Sequence, residues 1–244
     1  MELIFQKDFQ ISDIHVDCFG RLKPSMLLYL AQEIAGSHCK ELNADYQALA
    51  QHRLFWAISR TKVVINRMPR SGETIHMETW PMPTTRVAYP RSMVAYDEAG
   101  NELFRTISLW VLMDLDTRKM VLPGQSAISV DGTLRGMELA TPGGLVPKPL
   151  ANSSSRTVRF SDLDRNGHMN NTKYLDWIND LLPSVFHRDH SPREITLCYT
   201  NEALEGQNLD CRWEFLEEGT LQVEGTRNLG DKDERVFTAK LLFD

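Results

Sequence analysis

The chain of 244 residues has no long hydrophobic run. Its apolar stretches are short, such as Leu109-Trp110-Val111-Leu112-Met113, far below the ~20 residues that span a bilayer. The opening residues Met1–Asp8 show neither a charged-then-apolar leader nor an Arg/Ser-rich transit pattern. Secretion, membrane anchoring and organelle import are therefore disfavoured, and a cytoplasmic protein is expected. Cysteine is scarce: Cys18, Cys39, Cys198 and Cys211 are scattered with no C-x-x-C spacing. That argues against a structural zinc site and against a disulfide framework, and for inert thiols in a reducing compartment. A basic surplus is also missing, since 27 Lys and Arg face 33 Asp and Glu for a net charge of -6. A nucleic-acid partner is disfavoured on that balance. What remains is 42% apolar and 25% charged residues, an ordinary globular composition long enough to bury its own core.

The apolar period changes along the chain. Leu22, Met26, Leu27, Leu30, Ala31, Ile34, Ala35 and His38 recur at helical spacing, with Pro24 suited to a first turn. From Trp56 to Ile65 the sequence reads as a strand rich in β-branched residues. Segments 73–80, 87–96 and 103–114 read as further strands, the last two joined by the turn Asp97-Glu98-Ala99-Gly100-Asn101. Residues 126–155 are rich in Gly, Pro and Ser and read as a linker. A strand at 156–160, a helix over 171–182 stopped by Pro183, and strands at 194–199, 209–217, 220–228 and 236–243 follow. The two parts share an order of loop, helix and strands. Asp17-x-x-Gly20 and Asp164-x-x-Gly167 both precede the helix, which points to an internal duplication.

The densest polar cluster is Asp162-Leu163-Asp164-Arg165-Asn166-Gly167-His168-Met169-Asn170-Asn171. In an extended segment Asp164, Asn166 and His168 share one face, and a helix start beyond them offers N–H groups and a positive dipole end. Such a set suits a reaction in which negative charge develops on oxygen. Read as residues alone, the same cluster also fits a turn and a helix cap.

This cluster, with Tyr174 following, resembles the signature of acyl-acyl carrier protein thioesterases. Two further blocks agree in order: Trp56-x-x-x-Arg60 leading to Pro69-x-x-Gly72-Glu73-x-Ile75 and Glu78-Thr79-Trp80, and Ser108-x-Trp110-Val111-x-Met113-Asp114-x-x-Thr117-Arg118-Lys119. The resemblance implies an α+β tandem hotdog: two helix-wrapped antiparallel sheets joined into one continuous sheet, with halves 1–125 and 156–244 flanking the linker 126–155. It implies hydrolysis of a fatty acyl thioester on acyl carrier protein, with catalytic roles for Asp164, Asn166, His168 and Glu202. Plant relatives have Cys after the acidic position; here Ala203 stands there, which puts a cysteine acyl-enzyme in doubt.

The chemistry can also be stated without the family. A thioester is activated and has a good leaving group. Its hydrolysis needs a water, a base and donors for the tetrahedral oxyanion. Glu202 or His168 is the candidate base, and Asn166 with a backbone N–H is the candidate oxyanion donor. Met26, Leu30 and Ile34 share one helix face and are candidates to border the acyl chain. His187-Arg188-Asp189-His190 has a metal-like look but too few donors for one ion, so no metal and no cofactor is expected. Arg60, Lys62, Arg67 and Arg70 form a basic run that would suit an acidic carrier. An acyl-coenzyme A hydrolase and a non-catalytic acyl-binding protein are the alternatives. A dehydratase is disfavoured because Gly167-His168-Met169-Asn170-Asn171 lacks the His-Phe-Pro-Gly pattern. Monomer and homodimer both suit a duplicated chain.

Overall fold

The structure, a computed structural model, describes residues 3–244 apart from 218 and 231. It divides into two compact units, Met1–Pro142 and Gly143–Asp244.

In the first unit, strands β1 (Phe5–Gln10), β2 (Leu54–Ile65), β3 (Thr74–Pro81), β4 (Tyr89–Tyr96) and β5 (Glu102–Asp114) lie antiparallel in the order β1-β3-β4-β5-β2. The short β6 (Met120–Val121) pairs with β5 at Leu112 and Met113. Helices α1 (Pro24–Glu41) and α2 (Tyr46–Gln51) run between β1 and β2. In the second unit, β7 (Asn152–Thr157), β8 (Pro192–Tyr199), β9 (Asn208–Glu217), β10 (Thr220–Asn228) and β11 (Asp233–Phe243) repeat that order as β7-β9-β10-β11-β8. Helices α3 (Lys173–Asn179) and α4 (Ser184–Asp189) run between β7 and β8. The duplication read from the sequence thus extends to every long strand.

Local sequence explains most of these elements. α1 starts with Pro24 in its first turn, where the missing N–H costs nothing. It ends with Asn43 in the left-handed region at φ 53°. It buries Leu27, Leu30, Ala31, Ile34, Ala35 and His38. The helix expected over 171–182 is present as the shorter α3, ending at Asn179, and an unexpected second helix, α4, begins after Pro183, whose ring cannot continue a helix. β1 and α2 have no counterpart among the expected elements. β1 alternates Phe5, Lys7 and Phe9 against Gln6, Asp8 and Gln10, a short and mixed signal. α2 is announced by Asp45, whose carboxylate accepts the Ala48 N–H at 3.0 Å.

The segment of linker composition is tethered. No helix or strand forms from 126 to 151, yet Thr133 N–H donates to the Pro81 carbonyl at 2.9 Å. Arg135 is ion-paired with Glu78, and Trp80 Nε1 donates to Glu138 at 3.1 Å. Gly132 lies so close to the Met82 main chain that a Cβ would sit 2.2 Å from it. β7 begins at Asn152, inside the stretch read as linker and ahead of the strand expected at 156–160. Ser153, Ser154 and Ser155 have no strand propensity of note; pairing with β9 makes them one.

Candidate active site

The polar cluster folds as a small hairpin rather than an extended segment. Phe160–Asp162 forms a 3-10 turn, Leu163 bridges to Met169, and the Asp164 N–H donates to the His168 carbonyl at 2.7 Å. Gly167 closes the turn at φ 77°, in the left-handed region that glycine enters without Cβ strain. The Asp164 carboxylate accepts the backbone N–H groups of Asn166 at 2.8 Å and His168 at 3.3 Å. Asp164 is thereby the residue that shapes the loop. The alternation expected to align Asp164, Asn166 and His168 does not operate, because a turn has no two-residue period. The Asn166 carboxamide stands exposed at the tip.

The expected supply of free N–H groups at the helix start is also corrected. Asn170 Oδ1 accepts the Thr172 N–H and hydroxyl, each at 2.9 Å, and the Lys173 and Leu175 N–H groups bond to the carbonyls of Asn170 and Thr172. Those donors are committed to capping.

His168 and Glu202 come together from segments 34 positions apart. His168 Nε2 lies 3.4 Å from Glu202 Oε2, with side chains 15% and 39% exposed, so the pair is sheltered on the imidazole side and open on the carboxylate side. The hairpin is fixed to the Glu202 segment by the Met169 N–H to Ala203 carbonyl bond at 2.8 Å and by a bridge from His168 to Leu204. Glu202 sits just beyond β8. There the N–H groups of Thr200 and Asn201 both bond to the Val236 carbonyl, at 2.8 and 3.2 Å. This irregularity ends the two-residue alternation of β8 before Glu202.

Four residues that sequence reasoning did not assign to the site support it. Arg227 Nη1 donates to the Glu202 carbonyl at 2.7 Å and to Gln207 Oε1 at 2.9 Å, and the same guanidinium is ion-paired with Glu234. Their separations of 25 and 20 positions leave no local motif. Tyr174, present in the sequence block without a role, is 2% exposed and packs edge-on against Tyr199 and Phe237. Burial pushes its phenol up, and the carboxylates of Asp164 and Glu202 add to that while Arg227 opposes it.

The remaining candidates are placed as follows. Ala203 is fully buried. Cys198 is buried with its thiol donating to the Gly143 carbonyl at 3.7 Å. Leu30 and Ile34 are buried on α1 and Met26 is half-buried. His187 Nε2 and His190 Nδ1 donate to different carbonyls, of Asn179 and Asp244, each at 2.8 Å, and Asp189 pairs with Arg188. The basic run is not one available patch: Arg67 pairs with Glu73 at 2.8 Å, and Arg60 donates to the Pro142 carbonyl at 3.2 Å. Among the described residues no helix is long and apolar enough to cross a membrane.

Comparison with known proteins covers both halves. The acyl-ACP thioesterase N-terminal domain matches residues 2–123 and the acyl-ACP thioesterase C-terminal domain matches residues 148–239. The chain is 27% identical over 216 residues to a chloroplastic palmitoyl-acyl carrier protein thioesterase of Gossypium hirsutum, covering 82% of this chain and 52% of that protein. It is 26% identical over 215 residues to a chloroplastic dodecanoyl-[acyl-carrier-protein] hydrolase of Cinnamomum camphora, covering 82% and 56%. The chain spans about half the length of the curated relatives it matches. A crystal structure of an acyl-ACP thioesterase from Bacteroides thetaiotaomicron aligns with a TM-score of 0.86 at 25% identity, covering 99% of this chain and 98% of that one. The 12:0-ACP thioesterase of Umbellularia californica aligns with a TM-score of 0.83 at 22% identity, covering 100% and 98%. The fold is the tandem hotdog. The plant relatives are named as chloroplastic, so they lend no support to the cytoplasmic expectation.

Proposed function

Because the chain belongs to the acyl-ACP thioesterase family, we propose that it hydrolyses the thioester joining a fatty acyl chain to acyl carrier protein, at a site in its second half. The observation that carries this reading is the His168–Glu202 pair, 3.4 Å apart and brought together from two loops. A water between the pair and a thioester carbonyl gives a proton to Glu202 or His168 as its oxygen bonds to carbon; a positioned base contributes ~10²–10⁴-fold. The tetrahedral oxyanion takes a donor from the exposed Asn166 carboxamide, a contact worth ~10²–10³-fold. Collapse breaks the C–S bond, and the carrier thiol leaves with a proton while the acid is released. Asp164 serves by holding the Asn166 and His168 backbone in place.

No cysteine intermediate is part of this mechanism. Ala203 supplies no nucleophile. The Cys198 thiol directs its proton at a carbonyl, which is no base to take it, whereas a nucleophilic cysteine needs one that makes the thiolate. Met26, Leu30 and Ile34 border the acyl chain in this reading, and the protein works without metal or cofactor, as a monomer or homodimer in the cytoplasm.

The test is thioester release from acyl-carrier and acyl-coenzyme A substrates of matched chain length, side by side. The reading expects a higher kcat/KM with the carrier substrate and loss of turnover in His168→Ala. Preference for coenzyme A would reassign the handle. Acyl binding without turnover would make the protein a non-catalytic binder.

A further inference from the structure

The Glu202 carboxylate reaches His168 from the turn between β8 and β9. Its own side chain is 39% exposed. The segment leaves β8 at Tyr199 and enters β9 at Asn208. Arg227 lies on β10 directly across from Glu234 on β11, and Glu234 takes its Nε at 2.7 Å and its Nη2. That leaves Nη1 for the Glu202 carbonyl and Gln207 Oε1. Gln207 Oε1 also accepts the Leu204 N–H at 3.0 Å, and the Gln207 N–H returns to the Leu204 carbonyl at 3.1 Å. The Arg227 side chain is 17% exposed, so these are sheltered, charge-assisted bonds.

We propose that Arg227 is a positioning residue: clamped by Glu234, it holds the Glu202–Gln207 turn so that the Glu202 carboxylate stays within reach of His168. The inference rests on the role given to Glu202 above. The first unit provides an internal control. Met68 stands where Glu202 stands, and its carbonyl also accepts from an arginine, Arg67 Nη1 at 3.4 Å, with Glu73 as the counter-ion. That contact joins adjacent residues within the turn, whereas Arg227 reaches its turn from β10, so in the second unit a distant strand holds the turn that carries the proposed reacting carboxylate. Small misplacements of a reacting group cost up to ~10²-fold in rate.

The experiment is a double-mutant cycle on the full chain, with fold and Tm checked for every variant. Arg227→Met is expected to lower kcat about tenfold or more with KM within threefold, and Arg227→Lys to recover part of it. In a Glu202→Gln background Arg227→Met is expected to have no further effect on kcat. Arg67→Met is expected to leave kcat per folded molecule within twofold. Unchanged kcat in folded Arg227→Met overturns the clamp, as does an effect that multiplies fully with Glu202→Gln. An equal loss in Arg67→Met does so too. If Arg227→Met does not fold, Glu234→Gln replaces it, with a severalfold kcat loss expected and normal kcat overturning the proposal. Full activity in Glu202→Gln would instead overturn the catalytic reading of Glu202, whatever Arg227 does.

Discussion

The two units contain the same loop, built by the same hydrogen bonds, but the second sets a histidine against a glutamate where the first has Arg21 and Met68. Asp17 does in the first what Asp164 does in the second: its N–H donates to the Arg21 carbonyl at 2.7 Å, and its carboxylate accepts the Phe19 and Arg21 N–H groups. Gly20 at φ 74° matches Gly167 at φ 77°. Leu22 N–H bonds to the Pro69 carbonyl as Met169 N–H bonds to that of Ala203, each at 2.8 Å. That register puts Phe19 at the place of Asn166, Arg21 at that of His168 and Met68 at that of Glu202. Arg21 folds back onto Asp17 at 3.2 Å and over the Phe19 ring, and Met68 is buried. The lesson is that the Asp and Gly maintain a backbone shape, while the proposed chemistry rests on three side chains that the shape merely presents.

The hardest test of that comparison is turnover. His168→Ala and Glu202→Gln are each expected to lose ~10² or more in kcat, the scale for removing an acid–base group. Asp17→Asn should stay within a few-fold. Steady-state kinetics on folded variants decides, and comparable losses at the two loops would break the distinction.

A smaller effect is expected in stability beneath the site. Gly225 on β10 faces Phe237 on β11, where the first unit pairs Ala95 with Phe104. A Cβ at Gly225 would meet the Phe237 ring at 2.0 Å, and that ring packs against Tyr174. Gly225→Ala should destabilise by about 1–3 kcal/mol through overpacking, read by denaturant unfolding. An unshifted midpoint would mean that the ring moves aside.

The two turn glycines sharpen the comparison further. A methyl group added at either would meet no atom within 4 Å, so only backbone strain opposes alanine. Gly20→Ala and Gly167→Ala should each cost about 1–2 kcal/mol, but only the second should lower kcat. Equal kinetic behaviour would show that loop shape does not matter for catalysis.

The smallest effect is in pH dependence. Cys211 on β9 occupies the place that Met77 holds on β3, by their pairings with Gly225 and Ala95. Burial first, and then Asp210, pushes the Cys211 thiol from 9.0 up to about 12. The unfolded chain then loses its thiol proton near 9 while the folded chain holds it, so folding stability falls as pH rises through that window. Cys211→Ala should flatten the decline between pH 9 and about 12 in urea-midpoint measurements. An unchanged slope would assign the alkaline weakness elsewhere, for instance to the buried Tyr199 phenol.

Much of this protein is legible in its sequence because the signals are local. The change from helical to two-residue apolar spacing locates α1 and the long strands, and Thr220–Asn228 is bounded as expected. Asp and Gly at fixed spacing ahead of a helix mark both loops. Ala203 fixes the absence of a thiol at that position without any coordinates. Tertiary structure decided the rest, because the deciding partners are distant along the chain. Pairing with β9 turned a serine run into β7, and contacts with Pro81, Glu78 and Trp80 tethered a stretch of linker composition. A turn rather than a strand set the directions of Asp164, Asn166 and His168. Glu202 meets His168 only because the backbone of one loop bonds to the other, and Arg227 reaches that loop from two strands away. Sequence specifies which groups a loop can offer; hydrogen bonds between remote segments determine which of them meet.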